Sequence, residues 1–193
     1  TYEIFCATAD SSAILSNVVI VKTPGTLTFE NTSVIPQSLV AGTINNVTVS
    51  FTTVNPIPAD GMIYMEFPSG FNFTDSVEAR SSIIDGILTV NVDNRRIAIA
   101  RSGGSIINDG VIIDDLTLSE IKNPSVSGST GVFVVATTTS VISIPIDMRE
   151  NVISQNIVPG ALSSVAVTPI SIIAGTTTNV LVSFTTSNGN AVP

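Results

Sequence analysis

The sequence predicts an all-β protein, an antiparallel sandwich with Greek-key connections that begins again about 133 residues on. Three observations point there. Valine, isoleucine and threonine dominate, and no helical period lasts ten residues. Apolar and polar residues alternate in short runs, divided by turns rich in Gly, Pro, Asn and Asp. Residues 36–53 (PQSLVAGTINNVTVSFTT) return at 169–186 as PISIIAGTTTNVLVSFTT, identical at 12 of 18 positions without a gap. A period of that length is too long for a solenoid turn and matches a whole small domain.

In chain order, residues 26–30 (TLTFE) open a unit. Residues 46–51 alternate strictly: Val47, Val49 and Phe51 take one face, and Asn46, Thr48 and Ser50 the other, as in a half-buried strand. Residues 61–67, 87–92, 95–100, 111–118, 131–137 and 141–146 read the same way. Turn signals separate them at Ala59-Asp60-Gly61, Asp85-Gly86, Asn108-Asp109-Gly110, Asn123-Pro124 and Ser127-Gly128. Asp93-Asn94 is expected to be a two-residue hairpin loop. Residues 131–160 close the unit, and 161–168 (ALSSVAVT) open the next.

The N-terminal segment resembles the same closing section. Phe5 to Thr8 falls on Val134 to Thr137, and Pro24-Gly25 on Pro159-Gly160. The expected organisation is therefore 1–25 as closing strands of a preceding unit, 26–160 as a complete unit, and 161–193 as opening strands of a following one. Neither partial end has a counterpart of the middle strands, residues 61–120. The polypeptide is expected to continue at both ends, or neighbouring copies to supply the missing strands. In the second case residues 2–25 would act as a donated strand, as in pilus subunits.

Composition narrows the function. Of 193 residues 44% are hydrophobic, enough for a packed core, but only 11% are charged. Ser, Thr and Asn hydrate the surface instead, which suits an extracellular protein. Net charge is −8, with two Lys and five Arg, so the clustered cations that nucleic acid demands are missing. No apolar run reaches eighteen residues, so no membrane insertion is expected in this segment. Cys6 is the single cysteine and reads as a small buried hydrophobe.

Histidine is absent, which removes Ser-His-Asp and Cys-His catalysis and the usual zinc sites. No cofactor motif accompanies Lys22 or Lys122, and no enzymatic activity is expected. Asp109, Asp114 and Asp115 offer oxygen ligands for calcium, but no D-x-D-x-D-G loop frames them, and neighbouring strand residues face apart. The reading as strand-edge and turn carboxylates is preferred. Without Trp, and with only Tyr2 and Tyr64, a sugar-binding platform is not expected.

Asn31, Asn46 and Asn72 each head an N-x-Ser/Thr sequon, the acceptor signal for N-linked glycans. Asn46 and Asn72 fall on outward parity. The runs Thr137–Thr139 and Thr176–Thr178 would suit O-linked sugars or simply strands and turns. Leu181 replaces Thr48 on the outward face of the second copy, a hint of contact with a neighbour.

Residues 41–43, 47–53 and 57–71 (IPADGMIYMEFPSGF) resemble the repeats of large microbial cell-surface proteins, which string immunoglobulin-like β-sandwiches in series. The resemblance spans 26–160 and recurs in 161–193. It implies a stalk, filament, surface-layer or adhesin component whose partners are neighbouring copies of the same unit. It carries over no catalytic residue. Some such domains form Lys–Asn isopeptide bonds, but Lys22 and Lys122 suggest no definite pair.

Overall fold

Strand β3 (Ile44–Thr52) makes up the second half of the repeated stretch 36–53, and its alternation becomes burial. Val47, Val49 and Phe51 are fully buried, while Asn46 is exposed. The computed structural model describes residues 23–28, 30–74, 76–140 and 144–186. Among them every regular element is a strand. The remaining twelve are β1 (Gly25–Thr26), β2 (Ser33–Pro36), β4 (Met62–Glu66), β5 (Asn72–Phe73), β6 (Ala79–Arg80), β7 (Ile87–Asp93), β8 (Arg96–Ser102), β9 (Ile112–Lys122), β10 (Val132–Thr138), β11 (Pro145–Ile153), β12 (Ser163–Pro169) and β13 (Val180–Thr185).

Two sheets form a sandwich. One runs β1-β11-β10-β4-β8-β7; the other runs β2-β3-β9-β5, with β6 also on β9. Their inner faces supply Val47, Phe51, Leu116 and Ile121 from one side and Met65, Ile97, Ile99 and Val135 from the other, all essentially without solvent contact. Each such side chain contributes about 1.5–3 kcal/mol on burial. The stretch 57–71 explains itself here. Ile57 fills the core beside Gly61, whose missing Cβ would press on Ile57 Cγ2, and Phe67 and Phe71 close the sandwich with Phe73 and Phe133. Phe67 meets the other three rings edge-on at 5.1–5.5 Å.

Four local expectations change. The ladders are antiparallel except β1 on β11, which is parallel, with Gly25 opposite Asp147 and Thr26 opposite Met148. The final sandwich strand is Pro145–Ile153; it shares residues 145–146 with the expected 141–146 and runs on to 153, while residues 141–143 lie outside the described residues. The β7–β8 loop is Asn94-Arg95, one residue later than expected, because Asp93 still pairs with Arg96 and Asn94 takes the left-handed φ of 52°. β9 continues to Lys122, past a register shift and a φ of 60° at Glu120.

The sandwich has two poles. At the first, which we term leading, the chain comes in through β1 beside the start of β11. The 53–61 and 102–111 loops meet there through the Ile57–Ile107 bridge. Arg101, buried, pins that pole: its Nε donates to Ala59 O at 3.1 Å and its Nη2 to Pro58 O at 2.9 Å and to Ser105 O. At the other, trailing pole the 37–43 and 123–131 loops gather around buried Asn123. Its Nδ2 donates to Ser38 O (2.7 Å) and Val40 O (3.0 Å), and its Oδ1 accepts from Asn45 Nδ2 (3.1 Å). The chain leaves there: Val158 N donates to Leu39 O at 2.8 Å, and Val158 O accepts from Ala41 N at 2.9 Å. β11 joins the two poles, and nine residues of strand span roughly 30 Å.

Candidate assembly surface

Beyond the trailing pole, β12 and β13 form a hairpin that pairs, among the described residues, with neither sheet of the sandwich. Its ladder duplicates that of β2 and β3. Val34 opposes Val49, and Val167 opposes Val182; Pro36 opposes Val47, and Pro169 opposes Val180. Each second pair lies 133 positions after the first. The turn repeats as well. Ser38 N donates to Asn45 Oδ1 at 3.0 Å, and Ser171 N to Thr178 Oγ1 at 3.1 Å. Val40 N and Ile173 N each donate to the serine hydroxyl two residues back at 3.3 Å. Gly42 and Gly175 hold φ of 69° and 78°, values that an L side chain rarely adopts.

The two hairpins differ in what covers them. Val34, Val47, Val49 and Phe51 are 0% exposed, whereas Val167, Val180, Val182 and Phe184 are 64%, 52%, 56% and 44% exposed. The second hairpin thus presents an uncovered apolar face made of Val167, Pro169, Val180, Val182 and Phe184. Residues 161–186 contain no charged residue, so nothing at its edges repels another strand. Leu181 lies on the opposite face, across from Thr168, and is 64% exposed.

The sequons fall on the surface: Asn31, Asn46 and Asn72 are all exposed. Asn46 and Asn72 share the outer face of the β2-β3-β9-β5 sheet, and Asn31 lies two residues before β2. Thr137 and Thr138 are buried: Thr137 Oγ1 accepts from Asp147 N at 3.1 Å, and Thr138 Oγ1 donates to Thr139 O at 2.9 Å. Of that run the strand reading therefore holds for Thr137 and Thr138, while Thr176 and Thr177 are exposed.

Asp115 is engaged by Ser81 Oγ (2.5 Å), Ser82 N (2.5 Å) and Ser82 Oγ (2.7 Å). Burial alone would raise its carboxyl, but these donors hold it below the ordinary carboxylate value. Asp114 is exposed, as is Asp109 in the turn before β9. Among the described residues no cluster of three or more His, Cys, Asp or Glu side chains is placed to hold a metal ion. Lys122 ends β9, opposite Ile44 and Asn72. Tyr2, Cys6, Lys22 and the looser match of residues 2–22 lie outside the described residues. Among the described residues no helix is long and apolar enough to cross a membrane.

Sequence reasoning missed Asp147, Arg101 and Asn123, buried polar side chains that hold the poles together. The turn signal at Asn123-Pro124 marked the place of one of them.

No protein-family model matches the chain, and no curated protein matches it. Among solved structures it is similar to the non-cellulosomal cohesin from the hyperthermophilic archaeon Archaeoglobus fulgidus. Identity is 12% and the TM-score 0.35, over 65% of this chain and 87% of that one. It is also similar to a chain of the CaDoc0917–CaCohA2 complex, with 13% identity and a TM-score of 0.36, over 65% of this chain and 95% of the other. Likeness at that level carries no function across, and the chain's own geometry has to supply one.

Proposed function

We propose that the chain is a section of an extracellular structural rod, made of immunoglobulin-like Greek-key β-sandwiches repeating about every 133 residues. Residues 26–160 are one complete unit, 1–25 close the unit before it, and 161–193 open the unit after it. The observation that carries this reading is the second hairpin. It keeps the register and turn bonds of β2–β3 while its apolar face stands uncovered. The strands that would cover it are those of a further sandwich. Chain entrance and exit at opposite poles let units succeed one another in line. The work is mechanical: spanning distance, resisting extension and presenting a polar surface. Asn31, Asn46 and Asn72 carry N-linked glycans where the host attaches them, two of them on one outer sheet face.

The uncovered, uncharged hairpin also favours a second reading, a self-assembling subunit that is completed by a strand donated from a neighbour. A passive spacer within an adhesin is the third. Mass spectrometry of the intact natural polypeptide separates the first two. An array gives a chain far heavier than 20.0 kDa; a mass near that value, allowing for glycans, rejects the covalent array in favour of the subunit. Electron microscopy that shows unbranched rods with a periodic beading supports the rod, and compact isolated particles oppose it.

A further inference from the structure

The connection from one unit to the next is short enough to fix how they meet. Val158 is the last residue held at the trailing pole, bonded in both directions to Leu39 and Ala41. Pro159-Gly160 repeats the dipeptide Pro24-Gly25 135 positions on, two residues out of step with the hairpins, and Gly25 pairs with Asp147 at the leading pole. Aligned on that dipeptide, only Pro159 separates the two anchors. Two Cα–Cα steps reach about 7 Å, and proline fixes one torsion on the way. Two sandwiches joined in this manner have no linker, so their facing loops touch.

The surfaces brought together are apolar. At the leading pole Val54, Ile106 and Ile112 are exposed; at the trailing pole Ile44, Val126 and Val158 are exposed, Val126 at 75%. Scattered exposed aliphatics are ordinary. Here they gather at the two ends that a one-residue connection would press together. Both platforms are stiff, one pinned by Arg101 and the other by Asn123. Two leading poles would repel each other through exposed Asp60, Asp85 and Asp109, so unlike poles are the compatible pair.

We propose that the trailing pole of each unit docks on the leading pole of the next copy, burying these side chains in a stiff head-to-tail joint. The inference rests on the array reading and names the contact within it. Such a heterologous contact repeats without closing and generates an extended filament.

The test joins residues 54–160 directly after Thr186 of the full chain, so that Thr186 takes the place of Thr53 and a second sandwich is completed in frame. Small-angle scattering and thermal unfolding are then recorded for this protein, for Val126→Lys in the first unit, and for Ile106→Lys in the second copy. The expected result is one rigid elongated particle. Either lysine converts it to two independently oriented bodies, and the two substitutions together do little more than one, as partners in one contact should. Both sites are exposed, so each sandwich keeps its own fold. If both sandwiches fold but tumble independently, or the lysines change nothing, the joint is refuted while the array stands. If the second sandwich does not fold, the array reading fails and the joint fails with it.

Discussion

Asp147 grips Asn55 and its neighbour through three hydrogen bonds: its Oδ2 accepts the amides of Val54 and Asn55 at 2.9 Å each, and its Oδ1 accepts Asn55 Nδ2 at 2.6 Å. The carboxylate is fully buried, and Gly25 packs against it so closely that a Cβ there would collide with Asp147 Oδ1 and Asn55 Nδ2. A single acidic side chain thus ties β11 to the loop after β3, at the place where β1 begins. Asp147→Ala strips two amides of their acceptor and should cost about 2–4 kcal/mol. For a protein of this length that lowers the melting temperature by roughly 5–15 °C. Gly25→Ala should destabilise too, by forcing Asp147 and Asn55 apart. Calorimetry or urea unfolding of the full chain measures both, and a wild-type midpoint in Asp147→Ala would show that the clamp contributes nothing.

The same corner bears load in a particular direction. β1 and β11 are parallel, one at the chain's entrance to the sandwich and the other leading to its exit. Pulling the chain ends along that axis shears their hydrogen bonds together instead of opening them one at a time. Leu27 extends the grip: its amide donates to Met148 O at 3.1 Å and its side chain is fully buried. Forced unfolding is governed by the unfolding barrier rather than equilibrium stability. In single-molecule pulling, Asp147→Ala should therefore lower the rupture force more than Phe67→Ala does. Phe67→Ala removes a buried ring after β4, at the opposite end of the sheet from Asp147, and costs about 3–5 kcal/mol at equilibrium. Equal or reversed force losses would place the resistance elsewhere.

Acid should loosen the sandwich at the Ser81–Ser82 turn. Asp115 has its carboxyl held below the ordinary value of 3.8 by the hydroxyls and amide of those serines, despite burial acting the other way. A depressed folded-state value means stability that is fully present above pH 3.8 and is lost as pH falls from there through the folded value. Asp85, lowered by the backbone and side chain of Ser105, acts with the same sign. Asp115→Asn should flatten the acid limb of the stability curve, and Ser81→Ala with Ser82→Ala should flatten it in part, because without the two hydroxyl donors the folded value moves back toward the unfolded one. Melting temperatures between pH 2 and pH 6 provide the measurement. An unchanged acid limb in Asp115→Asn would count against this assignment.

What the sequence disclosed and what it hid depend on the range of the interactions involved. β3 was legible because Val47, Val49 and Phe51 keep one parity against a single core. β9 was legible only to Leu118: its parity slips twice, between Ile113 and Leu116 and again between Leu118 and Ile121, and the second slip, with Glu120 at a φ of 60°, falls among Ser119, Glu120 and Lys122, which look like loop residues. β11 was legible only at its first two residues, 145–146, because Asp147, Arg149 and Glu150 look like loop residues in a local window. Asp147 is buried only by virtue of Val54 and Asn55, more than ninety positions earlier in the chain. β5 and β6 are two residues each, too short to alternate. The uncovered hairpin was foreshadowed by the duplicated stretch, since residues 161–193 hold a copy of β2–β3 but no copy of β9.

The duplicated hairpins provide their own control. Val49 and Val182 occupy the same ladder position 133 residues apart, yet Val49 is fully buried against the opposite sheet and Val182 is 56% exposed. Val49→Asp places an unpaired carboxylate in the core, where burial of the charge is costly by several kcal/mol or more, so the sandwich should fail to fold or melt far lower. Val182→Asp should leave the melting temperature of the sandwich within about 1–2 °C of wild type, since surface substitutions away from special features stay within about 0.5 kcal/mol. It should also reduce self-association of the chain in sedimentation, because it introduces charge into the uncovered apolar face. The same two substitutions become equivalent once residues 54–160 are joined after Thr186 and cover the second hairpin. Val182→Asp should then abolish the second unfolding transition while the first is retained. A Val182→Asp protein that keeps both transitions would mean that the second hairpin is not built into a sandwich as the first is.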